Sequence, residues 1–280
     1  MTIAVSGGNW LFPEPDSEVN VLSDIQQQSW HDNGYFLIRS FVPPQIGQDM
    51  LQRVVDISRN AARKQPTAGA EGVLVTPEQN LRRQGEAQAN SADRAELQVS
   101  KIFRLHRDKV FRKFIESPAI LEIGRSLLQS ELDCFLSQFI FKNPGAWGQP
   151  WHQDGYYFPF DRSPQVGLWL AVTEATIDNG CLWVLPGSHR DVIHQHVPDR
   201  RPNANIGYVE IVDQDFSSAV AVTMAPGDLL VFHSHLMHRS KDNLSDNLRA
   251  AMVYHIASHG TLDQSEQPTP VNDWMPLPVR

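Results

Sequence analysis

Cysteine is scarce in this chain: only Cys134 and Cys181 occur, each inside an apolar run. Two buried, reduced thiols leave no disulfide framework and no thiolate cage for a structural zinc ion. Long apolar runs are missing too, with none reaching 18 residues, and the start Met1-Thr-Ile-Ala-Val-Ser-Gly-Gly lacks the basic and apolar regions of a signal peptide. A soluble cytoplasmic protein is expected. Positive charge is in deficit, 24 Lys and Arg against 32 Asp and Glu, for a net charge of −8 and a pI near 5.7. Nucleic acid and membrane surfaces are therefore not expected partners, because either would want a basic face. A small molecule is. The chain also has no Gly-rich phosphate cradle and no internal repeat.

What is present reads as one domain over residues 1–280: helical support and a lid over 1–130, a β core over 131–258 and a tail over 259–280. Residues 1–20 read as an arm lying on the domain. Ser23 or Asp24 can cap a helix running to Asn33, with Gly34 as its left-handed stop. Tyr35 to Val42 reads as a strand ended by Pro43-Pro44, and Ile46, Met50, Val54 and Ile57 recur at helical spacing over Gln45 to Lys64. Residues 65–95, polar and without periodicity, are expected to form a lid that orders over substrate. Further on, Glu96 to Phe103 reads as a strand, Asp108 to Glu116 as a helix, Ser117 to Gln129 as a second helix with Pro at its first turn, and Leu132 to Lys142 as a strand.

The remainder is strands and turns: 166–173, 181–185, 207–212, 219–224, 228–236 and 248–258, divided mostly by Pro, Gly, Asn and Asp. Short strands at this spacing behind N-terminal helices predict a mainly β fold, a double-stranded β-helix or cupin-like jelly roll with N-terminal bracing helices. The Pro-rich tail is expected to lie extended on the surface.

Trp151-His152-Gln153-Asp154 places an imidazole and a carboxylate two residues apart. In a strand they would share one face and could reach one ion. Nitrogen with one hard oxygen suits a first-row divalent metal better than Mg²⁺ or Ca²⁺. A third ligand is offered by Leu229 to Ser240, which carries His233, His235 and His238, and Arg249 follows eleven residues after His238. A His-x-Asp pair, a distant His and then an Arg is the order of parts of a 2-His-1-carboxylate non-haem Fe(II) oxygenase, the Arg holding a 2-oxo acid. The pattern alone does not choose among the three histidines, since His233 and His235 share a strand face and His238 lies where the strand should end.

The run from His152 to Arg190, with Tyr-Phe-Pro-Phe (157–160), Asn-Gly-Cys-Leu (179–182) and Leu-Pro-Gly-Ser-His (185–189), and then Pro226-Gly227-Asp228 through Arg249, resembles the phytanoyl-CoA dioxygenase family of Fe(II)/2-oxoglutarate oxygenases. The resemblance spans about residues 95 to 258 and implies Fe(II), with 2-oxoglutarate and O₂ as co-substrates. It selects His152, Asp154 and His238 as metal ligands and Arg249 for the distal 2-oxoglutarate carboxylate, assisted by Ser240. It implies that Trp169 walls the co-substrate pocket, with Lys101 and Phe139 around it. Halogenating relatives lack the carboxylate, so Asp154 implies hydroxylation or a related oxidation.

Tyr156, Tyr157 and Phe158 are expected at the substrate mouth, although about half of any aromatic run in a strand faces the core. The expected reaction is oxidation of an unactivated C–H bond in a small, largely apolar molecule, releasing succinate and CO₂. The family's range includes acyl-CoA esters, amino-acid-derived solutes and secondary metabolites. Arg104, Arg107, Lys109, Arg112 and Lys113 form a basic cluster that could meet a CoA phosphate, and His194, His196, Arg200, Arg201 and Asn203 rim the site. A cupin-like metal-dependent hydrolase or isomerase needing no 2-oxo acid is the alternative, and Arg249 argues against it.

Overall fold

The computed structural model describes residues 22–78, 92–202, 207–267 and 269–279. The expected N-terminal arm and the central part of the 65–95 segment, with Arg82 and Arg83, lie outside these residues, as does Asn203.

Helix α1 (Asp24–Asn33) starts at a capping box in which the Ser23 side chain accepts from the Gln26 backbone and the Gln26 side chain accepts in return. It stops at Gly34, whose φ of 80° is the left-handed geometry a glycine adopts without strain. Strand β1 (Tyr35–Ile38) leads to α2 (Pro44–Ala62), which buries Ile46, Met50, Val54 and Ile57 at the spacing the sequence predicts. Two short helices follow strands β2 (Leu74–Pro77) and β3 (Val99–Phe103): α3 (Lys109–Ile115), capped by Asp108, and α4 (Pro118–Leu128).

The large sheet takes the order β1-β10-β5-β12-β4-β3-β2, where β4 is Leu132–Lys142, β5 Val166–Ala171, β10 Leu229–His233 and β12 Arg249–Ser258. A smaller sheet of β11 (His238–Ser240), β6 (Leu182–Val184) and β9 (Val220–Val222) packs on one face. A third pairing joins β7 (Val197–Pro198) to β8 (Val209–Glu210). The helices cover the other face of the large sheet, against Phe139, Leu168, Leu170, Met252, Tyr254 and Ile256. Between the sheets lie Trp169, Ala171, Leu182, Val184, Leu230, Ala251 and Val253. This is the expected double-sheet jelly roll braced by N-terminal helices.

Three expectations change. The 65–95 segment contains an ordered strand, since β2 pairs with β3 at the sheet edge. The tail is not laid on the surface: β13 (Met275–Pro276) pairs with β4, and Met275 and Leu277 are buried. Residues 152–160 do not form a strand. His152 makes a single bridge to His238, and Asp154 opens a 3₁₀ turn through Tyr156. Among the described residues no helix is long and apolar enough to cross a membrane.

Candidate metal and co-substrate site

Strand alternation decides what faces the space between the sheets. On β12, Arg249, Val253 and His255 line a cavity of about 210 Å³ while Met252 and Tyr254 face the helices. On β4, Gln138, Ile140 and Lys142 line it. Phe139 is one residue out of that register and is buried among the helix-facing residues, so its expected place beside the co-substrate is corrected.

His152 and His238 arrive on facing chain segments whose backbones exchange two hydrogen bonds of 3.0 Å. Their rings are 4.2 Å apart, and Asp154 Oδ1 stands 3.4 Å from His152 Nε2 and 3.7 Å from His238 Nε2. Each ring turns Nδ1 to a backbone carbonyl, Pro150 at 2.8 Å and Leu236 at 2.9 Å. Those carbonyls require Nδ1–H, so Nε2 carries the lone pair and points inward. The other carboxylate oxygen, Oδ2, is 2.8 Å from His255 Nε2. Burial opposes ionisation of Asp154, but His238, His152 and His255 outweigh it and hold the carboxyl well below its usual range. Burial first, and then the charge of His152, lower His238 to about 4 against the pull of Asp154. One carboxylate oxygen and two imidazole nitrogens, buried and converging, fit a divalent first-row metal.

The three histidines left open by the sequence are separated here. The chain leaves the large sheet after His233 and enters the small one at His238. His233 packs against Trp30 and His189, and His235 approaches Ser163, so neither joins the cluster.

At the other end of the cavity Arg249 is 1% exposed, with Nη2 donating to Gly180 O at 3.0 Å. Its Nε and Nη1 have no hydrogen-bond partner, and burial lowers the guanidinium to about 10. Orphaned donors on a buried cation are costly, and a ligand carboxylate would supply what they lack. Trp169 lies 5.5 Å from this guanidinium, and Ser240 lines the same end. Lys101 lines the cavity nearer the triad, donating at 3.3 Å to Gln149, whose amide is 2.9 Å from His152 Nε2.

Of the aromatic run, Tyr157 and Phe158 line the cavity. Tyr156 does not: it is 42% exposed and stacks on His196 at 4.2 Å, because the 3₁₀ turn rotates it outward where a strand would not. Lys142, Gln149 and His255 were missed by sequence reasoning. Only the alternation within β4 and β12 could have flagged Lys142 and His255, and nothing local marks Gln149.

The arginines of the basic clusters are occupied internally. Arg107 makes two hydrogen bonds to Asp273, Arg112 pairs with Glu116, and Arg104 donates to Pro270 O. Arg200 and Arg201 pair with Glu210 and Asp199.

A jelly roll with a buried His-x-Asp and His set beside an unpartnered guanidinium defines a class, the non-haem iron oxygenases that use a 2-oxo acid. Residues 30–251 match the family model described as Phytanoyl-CoA dioxygenase (PhyH). The chain belongs to the phytanoyl-CoA dioxygenase family, and it is an Fe(II)- and 2-oxoglutarate-dependent dioxygenase.

It is similar to "Phytanoyl-CoA dioxygenase 1" of Oryza sativa subsp. japonica, 33% identical over 176 residues, 61% of this chain and 62% of the rice protein. It is similar along more of its length to "Probable phytanoyl-CoA dioxygenase" of Caenorhabditis elegans, 30% identical over 251 residues, 86% of this chain and 77% of the relative. The structure of EvdO2 from Micromonospora carbonacea var. aurantiaca complexed with 2-oxoglutarate shares the fold, with a TM-score of 0.64, 24% identity, and coverage of 90% of this chain and 98% of that one.

Proposed function

We propose that His152, Asp154 and His238 hold the iron, that Arg249 and Ser240 receive the distal carboxylate of 2-oxoglutarate, and that Trp169 walls it. The observation that carries this is the buried Arg249, with two orphaned nitrogens, in the cavity that also holds the His–Asp–His cluster. With O₂, the bound iron and 2-oxoglutarate supply the oxidation of a C–H bond of substrate, releasing succinate and CO₂. The chain's own contribution is placement and dryness. His255 holds one oxygen of Asp154, leaving the other for the metal, and the backbone carbonyls of Pro150 and Leu236 fix both imidazoles. Lys101 donates to the Gln149 side chain at 3.3 Å and lines the same cavity.

The substrate is a small, largely apolar molecule hydroxylated at an unactivated carbon. Leu136, Phe103, Tyr157, Phe158 and, from the tail, Val271 line the remaining wall. At about 210 Å³ the cavity is small for a site taking both a co-substrate and a substrate, so only the reacting end of the substrate enters. The relatives' names carry a CoA ester, but the arginines of the 104–113 cluster are already paired in this chain, which favours a substrate without CoA. A net charge of −8 favours a small molecule over nucleic acid. Two buried, unpaired cysteines favour the cytoplasm, a reducing compartment.

Anaerobic titration of the Fe(II)-loaded protein with 2-oxoglutarate tests the reading. A saturable visible charge-transfer band is expected; iron-loaded protein without one overturns it. Succinate release over a panel of apolar acids, amino-acid-derived solutes and their CoA esters then separates the substrate classes.

A further inference from the structure

The co-substrate end of the cavity contains two cations side by side. Lys142 on β4 and Arg249 on β12 are direct register partners, 3% and 1% exposed, and both line the cavity. Like charges directly opposite one another weaken a sheet, and burial makes the repulsion worse. Among the described residues neither has a carboxylate partner. Lys142 Nζ donates to Ser240 Oγ at 2.8 Å and to Lys241 O at 2.5 Å, while Arg249 meets only Gly180 O at 3.0 Å. Burial first, and then the Arg249 charge and Lys101, push the Lys142 ammonium well below its usual range, against the pull of Asp242 and Glu78. An anion entering between the two would relieve the repulsion and supply the acceptors that Arg249 lacks.

Ser240 adds a direction. Its Oγ accepts from Lys142 Nζ and also from the Gln149 backbone N–H at 3.1 Å. A hydroxyl has two lone pairs and one proton, so with both lone pairs engaged its O–H must donate. Packing locks the pair in place: a Cβ at Gly180 would meet Lys241 O at 2.4 Å and Lys142 Cδ at 2.9 Å.

We propose that Lys142 is a positioning residue for the co-substrate: with Arg249 it makes a two-cation seat for the far carboxylate of a dicarboxylate 2-oxo acid, and it turns the Ser240 proton toward that carboxylate. The proposal rests on the reading that Arg249 receives the co-substrate. Lys142 thereby selects 2-oxoglutarate over monocarboxylate 2-oxo acids, which leave both cations unmatched.

The test uses full-length protein loaded with Mn(II), so that binding is read without turnover, titrated calorimetrically with 2-oxoglutarate and with 2-oxobutyrate. Lys142→Met is expected to weaken 2-oxoglutarate by about tenfold or more and to leave 2-oxobutyrate and Mn(II) within about twofold, whereas Lys142→Arg keeps most of the preference. Lys142→Gln, which retains a donor to Ser240 without the charge, is measured in parallel in case the Met variant does not fold. Unchanged 2-oxoglutarate affinity overturns the proposal, and so does equal weakening of both acids, the signature of a merely structural lysine. Arg249→Gln separates the two levels. If it loses 2-oxoglutarate while Lys142→Met does not, only the lysine's role falls; if it too binds 2-oxoglutarate normally, the co-substrate reading falls.

Discussion

His255 shows how much a single side chain away from the metal can decide. Its Nε2 lies 2.8 Å from Asp154 Oδ2, and Phe135, Phe158 and Phe232 pack around its ring. Replacing it by Phe fills the space but frees the carboxylate to rotate. His255→Phe should weaken Fe(II) or Mn(II) binding by about 10- to 100-fold with an unchanged far-ultraviolet dichroism spectrum. The three cluster residues themselves are less forgiving: His152→Ala and Asp154→Ala should abolish metal-dependent succinate release while leaving the chain folded. Arg249→Gln removes charge from the other end of the cavity. A loss of about 2 to 5 kcal/mol in 2-oxoglutarate affinity, with metal binding preserved, is expected from calorimetry.

Among the elements, the tail has the largest consequence. Residues 269–277 run from the cavity wall to β13, fastened by Arg107 to Asp273 and the Trp274 carbonyl, by the Asp273 N–H on Phe135 O, and by buried Met275 and Leu277. Asp273→Ala should raise hydrogen exchange across 269–277 and leave 2-oxoglutarate affinity unchanged, because the fastening lies on the substrate side. Val271→Trp should block substrate turnover with the same co-substrate affinity, a separation that a general loss of fold would not produce. The loop at 143–150 is held closely against β11: a Cβ on Gly148 would stand 2.0 Å from the Ser240 carbonyl. Backbone cannot yield as a flexible side chain does, so this glycine sets how near Gln149 and His152 come to His238.

For the whole molecule, pH is the accessible variable. His106 is fully buried, and burial holds it at about 4 in spite of Asp273 at 3.3 Å. Its folded value is depressed below the unfolded 6.5, so the unfolded chain binds the extra proton between those values. The contribution is present above pH 6.5 and is lost as pH falls toward 4. Going from pH 7 to pH 5 should cost about 2 kcal/mol from this group, read as a lower urea midpoint, and His106→Gln should reduce the slope. Below about pH 4 the lowered carboxyls Asp228, Asp199 and Asp273 add to the loss in the same direction.

Much of this was local and therefore legible. A capping serine, a stop glycine, the 3.6-residue recurrence in α2 and the strands bounded by Pro, Gly and Asn are properties of short stretches, and they read correctly from the chain alone. The order His-x-Asp, His, Arg is also carried in the sequence, although the pattern by itself left the third position open among His233, His235 and His238 until the fold brought His238 beside His152 and Asp154. The tertiary structure decided everything that depends on which face a residue takes and on what lies opposite. A one-residue difference in register sends Phe139 to the helices and Lys142 to the cavity. A 3₁₀ turn in place of a strand turns Tyr156 out to solvent while Tyr157 and Phe158 line the cavity. Whether an arginine is a free anchor or a tied one depends on a partner as far away as Asp273 is from Arg107, a contact made only when the chain closes on itself.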